Sequence, residues 1–118
     1  MVGDMTTVFP SVDNTYKPYR IGFLLINEFS MLAFASALEP LRAANMQAGQ
    51  KLFEWIIASA TGISVTASNG TVVNAEFDLK ILDQCHMVLV CSGVRARENC
   101  NKDILNLIRR LDRQGTTI

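Results

Sequence analysis

The sequence predicts an α/β domain on an open, mainly parallel sheet with helices on both faces. Three observations predict it. Residues 21–26 (IGFLLI) and 87–91 (MVLVC) are apolar runs of strand length without alternation, the pattern of strands buried on both faces. Apolar residues recur at three- and four-residue steps over 31–44 and 104–111, as on helices with one buried stripe. Strands and helices alternate along the chain, which is the order of a parallel sheet with helical crossovers.

Each element follows in turn. Residues 1–19 are polar, broken by Pro10 and Pro18, and aperiodic, so they are expected to form a mobile leader, with the ordered part over 20–118. After the strand at 20–26, Ser30 can cap a helix whose stripe is Met31, Phe34, Ala35, Leu38, Leu41 and Ala44. Pro40 cannot donate to Ser36, so a kink or restart is expected there, and 45–49 ends the helix. Residues 52–58 (LFEWIIA) form a second strand. Residues 63–67 and 71–73 alternate around Asn69-Gly70, a hairpin signal. Residues 77–82 are ambiguous, and 87–91 is another buried strand. A last helix spans about 101–113, with Asn101 as cap, Ile104, Leu105, Ile108 and Leu111 as stripe, and Gly115 as stop. Thr116-Thr117-Ile118 resembles the opening of a further strand. A sheet cut there has an edge without a partner, so the fold is expected to be incomplete at the C-terminus.

Composition narrows the function. The chain has 118 residues, 49% of them hydrophobic, enough for one core. Eleven basic residues balance eleven acidic ones, so the stretch lacks the positive charge of a free-standing nucleic-acid binder. No apolar run approaches the roughly 20 residues of a membrane helix, and the opening residues lack the apolar core of a signal peptide, so a cytoplasmic location is expected. Cys85, Cys91 and Cys100 show no paired spacing and are read as free thiols. His86 is the only histidine, which argues against a zinc site and leaves any catalytic triad dependent on it. No dinucleotide or P-loop glycine motif is present, and no cofactor is expected.

In an open parallel sheet, ligands bind at the carboxyl ends of the strands. That rule selects 27–30, 59–62 and 92–95. Gly93 allows close backbone approach, with N–H groups suited to a carboxylate. Glu28 and Phe29 suit a cationic amine, by charge and by ring face. Arg95 and Arg97 can pair a carboxylate or simply be solvated. A zwitterion would satisfy both ends of a crevice lined by Glu28, Phe29, Gly93, Val94 and Arg95. The plainer account is that these residues close turns. Glu39 and Arg42 have the spacing of a helix ion pair. Phe53 and Trp55 read as core, although an aromatic box uses the same residues. Cys85 and Cys91 read as small buried hydrophobes.

The stretches GFLL (22–25), FS (29–30), ASALEPLRAAN (35–45), Trp55, ASNG (67–70) and VLVCSG (88–93) together resemble the opening of a known family. It is the AraC-type transcriptional regulators whose N-terminal sensor is a ThiJ/PfpI-like (class I glutamine-amidotransferase-like) domain. The resemblance covers about residues 20–118, and ASALEPLRAAN is its most specific part. Within the family, regulators of carnitine, betaine and related amine catabolism are the most similar.

The resemblance implies a flavodoxin-like fold, a homodimer and a small-molecule effector. DNA contact would fall to a C-terminal helix-turn-helix region outside this stretch. Enzymatic members carry a cysteine elbow, which would follow Ile118, and a glutamate early in the first helix, where Ala33 stands here. Their strands often end in Gly-Gly rather than Ser92-Gly93. A non-catalytic sensor is therefore expected. The alternatives are a fragment of a ThiJ/PfpI-type cysteine hydrolase or deglycase, and a lone interaction module.

Overall fold

A computed structural model describes residues 17–75 and 77–118. Most of the expected leader, and so its mobility, lies outside the described residues. The first strand, β1, spans Tyr19–Leu25, starting two residues ahead of its apolar run. The helix α1 spans Met31–Ala48, followed by β2 at Phe53–Ala58, β3 at Ser64–Thr66 and β4 at Val72–Asn74. A 3-10 helix covers Leu79–Gln84, β5 covers Met87–Cys91, and the helices α2 and α3 cover Ala96–Asn99 and Lys102–Arg113.

The sheet has the order β2-β1-β5, and both pairings are parallel. β1 takes the middle because its residues are apolar on both faces: Ile21, Phe23, Leu24 and Leu25 are all buried. β2 and β5 are the outer strands, and β5 is the more apolar. Its far edge is met by one parallel bridge from Thr117 to Met87, with Val88 N–H donating to the Thr117 carbonyl (2.8 Å). The expected strand start over 116–118 thus lies beside β5, and Val88 and Cys91 are buried despite the outer position.

Alternation along each strand sends side chains to two cores. On one face Phe23, Leu25 and Phe29 pack with Phe34 of α1 and with Val65 and Ala67 of the hairpin region. On the other, Leu24, Ile56 and Val88 pack with Leu82 of the 3-10 helix and with Ile104, Leu107 and Leu111 of α3. Helices therefore cover both faces, as the sequence predicts. Gly22 makes room for the 3-10 helix, since a Cβ there would lie 2.5 Å from Leu82 Cδ2.

Several local expectations are refined. α1 runs unbroken through Pro40. Ser36 and Pro40 are both exposed, so the carbonyl that loses its donor lies on the wet side of the helix. The helix ends within the expected 45–49, capped by Gly49, and Asn45 is buried and bonds the start of β2. The 64–74 hairpin is antiparallel, as expected, and turns through Gly70 at φ 90°. The ambiguous 77–82 stretch becomes a bridge from Phe77 to Ala58 and then the 3-10 helix, capped by Asp78. Among the described residues, no helix is long and apolar enough to cross a membrane.

Candidate functional site

The site lies where β1 and β5 end. Ile26 prolongs β1, its N–H donating to the Cys91 carbonyl (3.0 Å). The chain then turns at Asn27-Glu28. Glu28 has φ 67°, a left-handed backbone that a residue with a Cβ seldom adopts. Its surroundings impose this. The Glu28 N–H donates to the Thr66 carbonyl (2.7 Å), Ser68 N–H donates to the Phe29 carbonyl (2.8 Å), and Ser30 N–H donates to the Ser92 carbonyl (3.1 Å). The loop is thus clamped between the hairpin on one side and the end of β5 on the other.

Gly93 completes the clamp. A Cβ on it would collide with the Glu28 carbonyl oxygen. The close approach that glycine permits is therefore used by the chain's own backbone.

The Glu28 carboxylate points to the segment after β5. Arg95 Nε lies 3.2 Å from Glu28 Oε2, and Asn99 Nδ2 donates to the same oxygen at 3.3 Å. Asn99 Nδ2 also donates to the Arg95 carbonyl (3.0 Å), and Glu98 lies 4.0 Å from Arg95. A carboxylate and a guanidinium thus stand side by side at the ends of β1 and β5.

Four of the five expected site residues gather at these strand ends, and Phe29 does not present its ring there. Glu28 and Gly93 meet directly, Arg95 reaches Glu28, and Val94 is 97% exposed. Phe29 is 0% exposed and stands edge-on to Phe34 at 5.9 Å. Its ring is core, which corrects the cation-facing role expected of it: the bridge from Phe29 to Ala67 turns the side chain inward. Asn99 was not foreseen. Its only signal is its position four residues after Arg95, one helical turn away.

The other strand end, 59–62, uses its polar groups internally. Ser59 Oγ donates to the Ala75 carbonyl (3.1 Å) and accepts from Gly62 N–H (3.1 Å). Glu39 and Arg42 form the helix ion pair at 3.0 Å. Phe53 and Trp55 pack at the rim of the α1-side core. His86 lies at the opposite end of the sheet, where its Nδ1 accepts from Arg20 N–H (2.9 Å) and its ring stacks on Tyr19 (5.0 Å).

The buried thiols of Cys85 and Cys91 are poor nucleophiles. Burial pushes Cys85 up to about 12 and Cys91 up to about 11. Ala33, on the exposed side of α1, donates its N–H to Ser30 Oγ (3.2 Å) and brings no acid. Among the described residues, no three His, Cys, Asp or Glu side chains converge to hold a metal ion.

This architecture is a flavodoxin-like α/β fold, shared with proteins of the DJ-1 superfamily. A DJ-1 superfamily protein from Agrobacterium tumefaciens superposes with TM-score 0.59 at 22% identity, over 81% of this chain and 49% of that one. An AraC family transcriptional regulator from Pseudomonas putida superposes with TM-score 0.73 at 28% identity, over 84% of this chain and 53% of that one. In sequence, the chain is 34% identical over 112 residues to the HTH-type transcriptional regulator GbdR of Pseudomonas aeruginosa, covering 94% of this chain. The chain is thus a homologue of AraC-like, HTH-type transcriptional regulators, as its motifs indicated, and it spans 30% of the length of that curated relative. No protein-family model matches it.

Proposed function

We propose that the chain is the ligand-sensing, non-catalytic part of an AraC-type, DNA-binding transcriptional regulator that acts as a cytoplasmic homodimer. DNA contact belongs to a helix-turn-helix region outside this chain, in keeping with the zero net charge of these residues. The effector is a small zwitterion with a quaternary or primary amine, held at the ends of β1 and β5 by Glu28, Gly93, Val94 and Arg95, with Phe29 supporting the loop from below. The observation that carries this reading is the Glu28–Arg95 pair, two opposite charges 3.2 Å apart, with the Glu28 backbone held in place by the hairpin and Gly93. Homology to named transcriptional regulators supports the sensor role. The cysteine-hydrolase alternative has less support, because the thiols of Cys85 and Cys91 are buried and held protonated.

The test is calorimetry on the complete protein with glycine betaine as probe. Binding that falls on Glu28→Gln is expected. Undiminished binding by that variant places the site elsewhere, and hydrolase turnover lost on Cys91→Ser would reinstate the enzyme.

A further inference from the structure

We propose that α2 is a flap latched to the sheet by Glu28, and that Arg95 occupies the cation subsite until an effector's ammonium group displaces it. The inference rests on the proposed site and adds how that site is kept closed and how occupancy is reported.

The two sides of the latch differ in rigidity. Glu28 is held in the left-handed region by its own N–H bond to Thr66 and by the Gly93 backbone against its carbonyl. A conformation so unfavourable persists only where its surroundings over-determine it. The sheet therefore fixes the direction in which the Glu28 side chain leaves the main chain.

The other side is soft. α2 is a single turn of four residues, none of them buried, and its cap residue Arg95 makes no side-chain cap bond. Val94, at its entry, is 97% exposed. The main-chain bonds of this turn run within the segment itself, from Ala96 to Gly93, Asn99 to Arg95 and Cys100 to Ala96. What ties the turn to β1 is polar: Arg95 Nε and Asn99 Nδ2 both reach Glu28 Oε2. Gly93, clamped against Glu28, and the half-buried Cys100, packed against the α3-side core, bound the segment on either side.

Arg95 is thus an internal cation on the oxygen that the effector's cation would seek. Its side chain is 60% exposed, and an exposed pair of this kind is weakly held. An ammonium group that takes its place frees Arg95 to meet the ligand's carboxylate, and α2 must then move. The displacement makes binding visible at the protein surface.

The experiment has two arms, both on the complete protein. Hydrogen–deuterium exchange over 94–100 reads the latch, with thermal melting as control for the fold. Glu28→Gln, and Arg95→Ala from the exposed side, are each expected to speed exchange there and leave β1 and β5 unchanged. Unchanged exchange in both variants overturns the latch. Calorimetry with choline, a cation without a carboxylate, reads the displacement. Arg95→Ala is expected to bind choline about two- to fivefold tighter, the change equivalent to removing one surface ion pair. Equal or weaker binding overturns the displacement. Failure of the parent protein to bind either choline or betaine, with exchange still faster in both variants, overturns the proposed effector site and leaves the latch standing.

Discussion

The Asn45 amide grips the main chain of Phe53 from both directions. Its Nδ2 donates to the Phe53 carbonyl (3.0 Å), and its Oδ1 accepts from the Phe53 N–H (3.0 Å) and from the Leu52 N–H (2.8 Å). One buried side chain on α1 thereby sets where β2 begins. Replacing it with alanine leaves backbone groups without partners in a poorly hydrated place. Asn45→Ala is expected to lower stability by about 2–4 kcal/mol, as more than one such group is orphaned. Urea unfolding measures this, and a loss below about 0.5 kcal/mol, within the range of ordinary surface substitutions, would contradict it.

Asn45 also shows which parts of the structure are legible in the sequence. The apolar runs at β1 and β5 could be read because burial on both faces demands an unbroken pattern, and the helices because one buried face demands a periodic one. Asparagine near a helix end looks like a stop signal. Its actual role depends on where β2 docks, which no local pattern encodes. The strand-end rule likewise found Glu28 and Arg95 separately. Their contact with each other depends on β1 and β5 being neighbours, and the short α2 carries no stripe by which it could be found.

Phe29 makes the same point from the other side. An aromatic residue after a strand serves equally as a ligand contact or as core, and only the bridge to Ala67 decides. Phe29→Ala is therefore a stability variant. It is expected to cost about 3–5 kcal/mol, the usual loss for deleting a buried phenylalanine. A variant that melts like the parent would show that the ring is not core.

Gly93→Ala tests the clamp. The added methyl meets backbone, the Glu28 carbonyl, which cannot swing aside as a flexible side chain can. A loss of about 1–3 kcal/mol is expected, as for other overpacked positions, and the Glu28 loop must shift. Faster amide exchange at Glu28 in the variant is the readout, and an unaltered rate would refute the clamp.

Thiol chemistry should separate the three cysteines. Cys85 and Cys91 are buried, with thiols held up to about 12 and about 11 by loss of solvation, so neither yields much thiolate near neutrality. Cys100 is partly exposed. Iodoacetamide at pH 7.5, a value chosen about one pH unit below the ordinary thiol pKa, is expected to label Cys100 first and to reach the other two only on unfolding. Mass spectrometry reads the order, and rapid labelling of Cys91 in the folded protein would reopen a nucleophilic role for it.

Glu54 carries the pH prediction. It lies on β2 at 6% exposure, and its Oε2 has no hydrogen-bond partner among the described residues. Loss of solvation raises its pKa above 4.5. The nearby charges of Lys51, Arg20 and His86 oppose the rise without cancelling it. As pH increases, the unfolded chain therefore gives up this proton before the folded one does. The folded state binds more protons in that window, so stability falls as pH rises from about the unfolded value through the raised one. Below the window the carboxyl is neutral in both states and carries no such cost. Glu54→Gln removes the titration. The variant is expected to match the parent near pH 4, just below the ordinary glutamate pKa, and to exceed it at neutral pH by about 1 kcal/mol, the low end of the cost of an unsatisfied buried group. Urea midpoints for both proteins across that range decide it. A parent–variant difference that does not grow with pH would show that Glu54 finds its missing partner in the folded protein.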